Sequence, residues 1–214
     1  MYNINRLKKI IKEQGLNNET GSLIHSSSET LRKSNIYFMS DLDESSFSKN
    51  KSILENLNNL GKKTSFNENY EVFYNKNSKQ VEKVTSILQK RINFLLSSLN
   101  SSSTNVFATN LIFKNFKSGK INRFDYWAEK CWTIHEELLL TVDPEILLVL
   151  GNNSFEFVGS KMSKFKEFNY FHGNYKNQFS CRHISGEIGN KKRDLIMIPH
   201  LSKLPITQNK YKSI

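Results

Sequence analysis

The chain has 214 residues, enough for one α/β domain that buries roughly 70% of its unfolded surface. Its 31 Lys and Arg outnumber 20 Asp and Glu, and the formal charge of +11 favours an anionic partner, nucleic acid before an anionic membrane surface. Two cysteines, Cys131 and Cys181, cannot supply an iron–sulfur cluster or a four-cysteine zinc site; they argue against a disulfide framework and fit a reducing cytoplasm.

In chain order, residues 1–15 (MYNINRLKKIIKEQG) are amphipathic, and no apolar region follows the charges as in a signal peptide. Ile4, Leu7, Ile10 and Ile11 share one face of a helix over 3–14, with Gly15 as a stop. Residues 16–33 are polar and Ser-rich, which predicts a loop or a loosely packed arm. The expected division is therefore a helix and polar arm over 1–34 and an α/β domain over 35–214. The first strand is predicted at 35–40 (NIYFMS), and a helix near 50–60 is the one element suggested within the polar stretch 48–79. Val81, Val84, Leu88, Ile92, Leu95 and Leu99 follow helical spacing over 79–99. A second strand begins near 105 (NVFAT), followed by a basic loop at 114–123 (KNFKSGKINR). The helix over 124–141 uses Trp127, Cys131, Ile134 and Leu138 as its inner face, and Asp143-Pro144 ends it. Ile146–Leu150 is a third strand ending at Gly151-Asn152-Asn153. Within the basic, aromatic region 161–193, strands are suggested around 168–172 and 179–184; a fourth main strand, 194–198, enters the His200 loop. No run is long enough to span a bilayer, so a soluble cytoplasmic protein without a membrane partner is expected.

Three short apolar runs end in small polar clusters, and buried parallel strands have this form. Ligands of open α/β sheets bind beyond the carboxyl ends of such strands. The first run leads into Asp41, Leu42, Asp43 and Glu44, where a carboxylate can orient water, stabilise a cation or hold metal. The plainer alternative is that these residues end the strand and cap the next helix. The second run leads into Asn110, whose amide pairs with a carbonyl and an N–H together, as when Asn reads a base edge; a turn asparagine is the alternative. The third leads through Pro199 into His200, Leu201, Ser202 and Lys203, which bring a proton donor, a hydroxyl and a cation. A histidine bonded only to backbone is the alternative there.

Other signals fail. Thr133–Leu139 (TIHEELL) begins like a zinc-protease helix, but Leu139 stands where a second histidine is required. Gly151-Asn152-Asn153 lacks the Gly-Lys-Ser/Thr ending of a phosphate loop. Cys131, on an apolar face, reads as core.

In their order, the three clusters resemble the uracil-DNA glycosylase superfamily over roughly residues 35–205. Asp41-Leu42-Asp43-Glu44 stands where that family has a Gly-x-Asp/Asn-Pro-type motif after its first strand. Asn110 in Ala108-Thr109-Asn110-Leu111 matches the base-recognition strand, and His200-Leu201-Ser202 matches the His-Pro-Ser loop. Val142–Gly151 resembles the third-strand segment. The first motif lacks its glycine and proline, and Leu201 replaces the last proline, so Asp41 and Asp43 remain rivals.

The expected fold is α/β: a three-layer α/β/α sandwich with a central, mainly parallel four-stranded sheet. The resemblance implies a monofunctional DNA glycosylase, monomeric and needing no cofactor or metal, that excises uracil or a phage-type modified cytosine in repair or antiviral defence. Asp43 or Asp41 would position water and balance charge on the sugar, and His200 would stabilise the departing base. Asn110 would pair with the flipped base, with Ser202 beside it and Phe47, Phe66, Tyr70 or Phe73 stacking on it. Leu201 or Leu204 would wedge the duplex while Lys203 and segments 114–123 and 161–166 grip phosphates. A non-catalytic nucleic-acid binder with this fold is the alternative, followed by a Mg²⁺ enzyme built on Asp41, Asp43 and Glu44.

Overall fold

The computed structural model describes residues 4–24, 31, 34–42, 51–59, 74–75, 80–81, 87–101, 106–116, 123–172 and 179–199. The first helix, α1 (Ile4–Glu13), buries Leu7 and Ile11 completely, with Ile4 and Ile10 packed at the margin of the same core. Its end is a paired C-terminal turn. The Gly15 N–H donates to the Lys12 carbonyl (3.0 Å) and the Leu16 N–H to the Ile11 carbonyl (3.0 Å). Gly15 sits at φ 65°, the left-handed position such a turn needs and glycine occupies without Cβ strain.

The described part of the segment that follows, 16–24 and 31, is the loop that its composition predicts, but a closely packed one. Leu16 and Leu23 are at most 1% exposed, and Ile24 and Leu31 join them in the core that holds α1. Backbone bridges link Thr20 to Ser52 and Gly21 to Lys114. Apolar side chains at irregular spacing give no periodic signal, yet burying each is worth roughly 1.5–3 kcal/mol.

The chain continues through β1 (Ile36–Leu42), α2 (Ile53–Asn59), a two-residue pair β2 (Tyr74–Asn75) and β3 (Gln80–Val81), and α3 (Ile87–Ser98). A capping box starts α2: the Glu55 N–H donates to Ser52 Oγ (3.2 Å), and the Ser52 N–H donates to Glu55 Oε2 (2.7 Å). The helix predicted over 79–99 is described as α3 over Ile87–Ser98, and Val81 lies in β3 instead.

Next come β4 (Val106–Ile112), α4 (Phe124–Val142), β5 (Ile146–Leu150), α5 (Asn152–Ser160), β6 (Ser163–His172), β7 (Phe179–Ile188) and β8 (Lys191–Ile198). One sheet of six strands has the order β4-β1-β5-β8-β7-β6. The first four are parallel, and β7 and β6 add antiparallel to them. The expected four-stranded sheet is thus corrected to six. The addition follows from a tight hairpin: Ile188 pairs with Lys191, and Gly189 (φ 59°) and Asn190 (φ 62°) fill a two-residue loop. Positive φ at both positions is the turn whose twist suits a hairpin.

Alternation along the parallel strands sends side chains to two cores. Ile36, Phe38, Val106, Ala108, Leu148 and Leu150 pack with Ile92 and Leu96 of α3. Tyr37, Met39, Phe107, Leu147 and Val149 pack with buried residues of α1, α4 and α5. At the far end of α4, Asp143 takes a left-handed φ of 50° and donates its N–H to the Leu139 carbonyl. Buried Arg193 covers that helix end by donating to the Pro144 and Leu139 carbonyls, with Asp143 at 3.5 Å. Burial lowers its pKa, and Asp143 opposes the shift.

His135 fills the middle of α4 and is fully buried, serving packing rather than metal binding. Its Nε2 lies 3.0 Å from the Leu111 carbonyl and its Nδ1 2.8 Å from the Tyr37 hydroxyl. The neutral ring satisfies both when Nε2–H donates to Leu111 and Nδ1 accepts from Tyr37. Burial pushes its pKa down to about 4 from 6.5, because no charge is tolerated there. The unfolded chain therefore takes up a proton near pH 6.5 that the folded chain refuses until about pH 4. Stability is full above pH 6.5 and is lost as pH falls through that window, by roughly 3 kcal/mol from this group. Denaturant titrations from pH 7 to pH 4 should show this fall, and a shallower one in His135→Phe. Equal slopes in both proteins would remove His135 as the cause.

Candidate functional site

The register of the parallel strands decides what meets at their carboxyl ends. Ile36 pairs with Val106 on one side and Ile146 on the other, and Ile146 pairs with Asp194. The four strands therefore finish on one edge, at Leu42, Ile112, Leu150 and Ile198. The Gly151 N–H donates to the Ile198 carbonyl (3.2 Å), which ties the exit of β5 to that of β8.

Asn110 lies inside β4, since the strand continues to Ile112 beyond the end expected at Thr109. It pairs in register with Ser40 and is 1% exposed. The Ser40 hydroxyl donates to Asn110 Oδ1, which fixes the sense of the amide and directs Nδ2 away from Ser40. Thr109, on the opposite face, is also satisfied: its hydroxyl donates to the Leu23 carbonyl (2.6 Å).

Asp41 directly follows Ser40, so its side chain leaves from the other face of β1. There Ser154, fully buried in the first turn of α5, donates its hydroxyl to Asp41 Oδ1. A carboxylate is favoured near the amino end of a helix. Gly151 precedes α5 at φ 98°, and a Cβ built on it would stand 3.1 Å from Asp41 Oδ2. The backbone angle favours glycine here, and a side chain would also press on the carboxylate.

Arg182 of β7 holds α5 in place. Its guanidinium donates to Asn152 Oδ1 (3.0 Å), to Glu156, and to Glu167 through Nη2 (2.6 Å) and Nε (2.9 Å), with its Cζ 4.4 Å from the centre of the Phe155 ring. Partial burial acts to lower its pKa, but the two carboxylates outweigh this and raise it. These contacts steady the turn that carries Ser154.

Asp41 and Asn110 thus lie on neighbouring strands but leave from opposite faces of the sheet. Asp43, Glu44, Phe47, Phe66, Tyr70, Phe73, His200, Leu201, Ser202, Lys203 and Leu204 lie outside the described residues. Among the described residues, no three potential metal ligands gather. Cys131 is buried and its thiol is pushed up to about 12 by desolvation, unsuited to nucleophilic chemistry. A groove of about 500 Å³ between α4 and α5 is lined by Asp125, Glu129 and Glu156 among others, with Glu129 paired to Lys161 and Glu156 to Arg182. The sequence reading missed Ser154 and Gly151 as partners of Asp41. A glycine after a buried strand, followed by Asn-Asn-Ser and an apolar helix, was the available signal.

Gly151→Ala is expected to cost about 1–3 kcal/mol of stability, because it combines positive-φ strain with pressure on Asp41. Ser154→Ala should cost about 1–3 kcal/mol by leaving the carboxylate without that donor. Denaturation midpoints measure both, and unchanged midpoints would contradict this local geometry. No protein-family model matches the sequence, and no curated protein matches it either.

Proposed function

We propose that the protein is a monofunctional DNA glycosylase of the uracil-DNA glycosylase type, acting on uracil or a modified cytosine and leaving an abasic site. The observation that carries this reading is the common carboxyl edge of β1, β4 and β8. β1 leads there through Asp41 toward Asp43, β4 contributes the amide of Asn110 fixed by Ser40, and β8 leads through Pro199 toward His200. Packing of α3 on one side of the sheet and of α1, α4 and α5 on the other supports an α/β/α layering in this reading.

In this mechanism, Asp43 orients the attacking water and balances positive charge on the sugar as the N-glycosidic bond breaks. His200 donates to the departing base, and Asn110, with Ser202 nearby, reads its edge. One of Phe47, Phe66 or Tyr70 stacks on the base, Leu201 fills the gap in the duplex, and Lys203 meets a phosphate. The scheme uses no metal, and the protein acts as a cytoplasmic monomer in repair or antiviral defence. Asp43 is preferred to Asp41 for the water because Asp41 already accepts from Ser154.

The second reading, a nucleic-acid binder without chemistry, draws on one specific observation. Asp41 and Asn110 both make internal bonds, to Ser154 and Ser40, of the sort that maintain a fold. It leads to salt-sensitive DNA binding with no abasic product.

The deciding experiment incubates the protein in EDTA with ordinary DNA, uracil-containing DNA and phage DNA carrying modified cytosines, and reads abasic sites by alkaline cleavage. Sites in one class establish excision and name the base; none in any class, with binding intact, favours the binder. Asp43→Asn should lower excision by about 10²–10⁴-fold with DNA affinity nearly unchanged. Retained turnover would move the role to Asp41. Asn110→Ala should reduce activity or broaden base choice; an unchanged substrate profile would remove Asn110 from base recognition.

A further inference from the structure

The antiparallel extension of the sheet carries a second surface, distinct from the carboxyl edge. On β7 and β8, His183, Ser185 and Glu187 share one face with Lys192, Asp194 and Ile196, as their register pairs require. On β6, Phe168 stands opposite His183, and Lys166 opposite Ser185. This is the sheet face on which α3 packs further along, where Ile196 and Cys181 border the core. A groove of about 470 Å³ opens on it, lined by Lys164, Lys166, Lys192, Phe168 and His183 together with Ser185, Gly186 and Glu187.

A stacked aromatic pair lines it. The Phe168 and His183 rings stack at 5.4 Å between centroids with 25° between planes. The imidazole is held in that orientation by Asp194, whose Oδ1 lies 2.8 Å from His183 Nε2. Phe168 is half-buried, and the Lys166 ammonium stands 5.0 Å from the centre of its ring. Lys166 and Lys192 are exposed, and the Lys164 side chain is 77% exposed beside Glu187 at 3.2 Å. Of the two acids on this face, Glu187 meets Lys164 and Asp194 meets His183, so the exposed cations give the groove an excess of positive charge.

We propose that this face binds single-stranded nucleic acid, with one base stacked on Phe168 and the flanking phosphates met by Lys164, Lys166 and Lys192. Every base has a π face, so stacking of this sort is tolerant of sequence. Residues two apart on one strand are about 6.7 Å apart, on the scale of one step of an extended single strand. That places a lysine within reach of the phosphate beside a base on the ring. A duplex hides its base faces and meets only the lysines. The assignment rests on the nucleic-acid partner proposed above but not on the excision chemistry. It adds strandedness: the single strand is the form that this face grips.

The test measures fluorescence anisotropy of a labelled dT₁₂ oligonucleotide and of a labelled duplex of equal length. The proteins are the full chain, Phe168→Leu, and the triple variant Lys164→Ala/Lys166→Ala/Lys192→Ala. Phe168→Leu keeps an apolar side chain on the sheet, and thermal melting establishes that both variants fold. The expected result is tighter binding of dT₁₂ than of duplex, weakened about tenfold or more by Phe168→Leu. In the triple variant the slope of log affinity against log salt should fall by about 2. Unchanged dT₁₂ binding in both folded variants, with the wild type binding well, would overturn this face and leave the nucleic-acid reading standing. No binding of either probe by the wild type would overturn both.

Discussion

In-register parallel pairing of β1 with β4 on one side and β5 on the other is the constraint on which the rest of the structure depends. It aligns the strand ends, and it divides successive side chains of β1 between two cores. Ser40 therefore meets Asn110 on one face while Asp41 meets Ser154 on the other. A slip of one residue would exchange the two faces, burying Ser40 and Asp41 in each other's places and turning Tyr37 away from His135.

Several buried polar side chains around this sheet bond to distant segments, although Arg193 Nε is left without a partner. Thr109 reaches the Leu23 carbonyl, His135 spans β1 and β4 by way of Tyr37 and Leu111, and Arg193 closes the carbonyl end of α4. Each bond joins segments distant in sequence, so each specifies a tertiary arrangement as well as contributing stability. A buried donor left unsatisfied costs more than a made bond contributes, which makes such contacts intolerant of displacement. Leu23 belongs to the segment after α1, and its bond to Thr109 draws that segment onto the sheet.

Charge is distributed differently. Among the described residues, ion pairs at the surface such as Lys9 with Glu13 contribute little to stability, whereas Lys114 and Glu19 pair in a partly buried setting. Lysines also lie against aromatic rings: Lys114 is 4.1 Å from the Trp127 ring centre, and Lys166 is 5.0 Å from that of Phe168. The basic excess of the chain therefore includes lysines beside rings, where phosphate and base can be met together.

The amino-acid sequence by itself determined the elements with a strong local signature: α1 with its glycine stop, α4 ending at Asp143, and the apolar strands β1, β4, β5 and β8. Helical spacing, a proline and short β-branched runs are local properties, and no distant contact is needed to read them. It also determined the order of the polar clusters at the strand ends. Only the tertiary structure decided which face each polar side chain takes. Asn110 was assigned to the end of a strand, but parallel pairing with β1 carries β4 two residues further and turns the amide toward Ser40. Asp41 was read among neighbouring acids, and a helix more than a hundred residues later supplies its partner. Burial of Leu16 and Leu23 and the length of β6 and β7 were likewise decided at a distance. The reason is common to all four: hydrogen-bond partners and buried area come from segments far along the chain, and local periodicity carries no record of them.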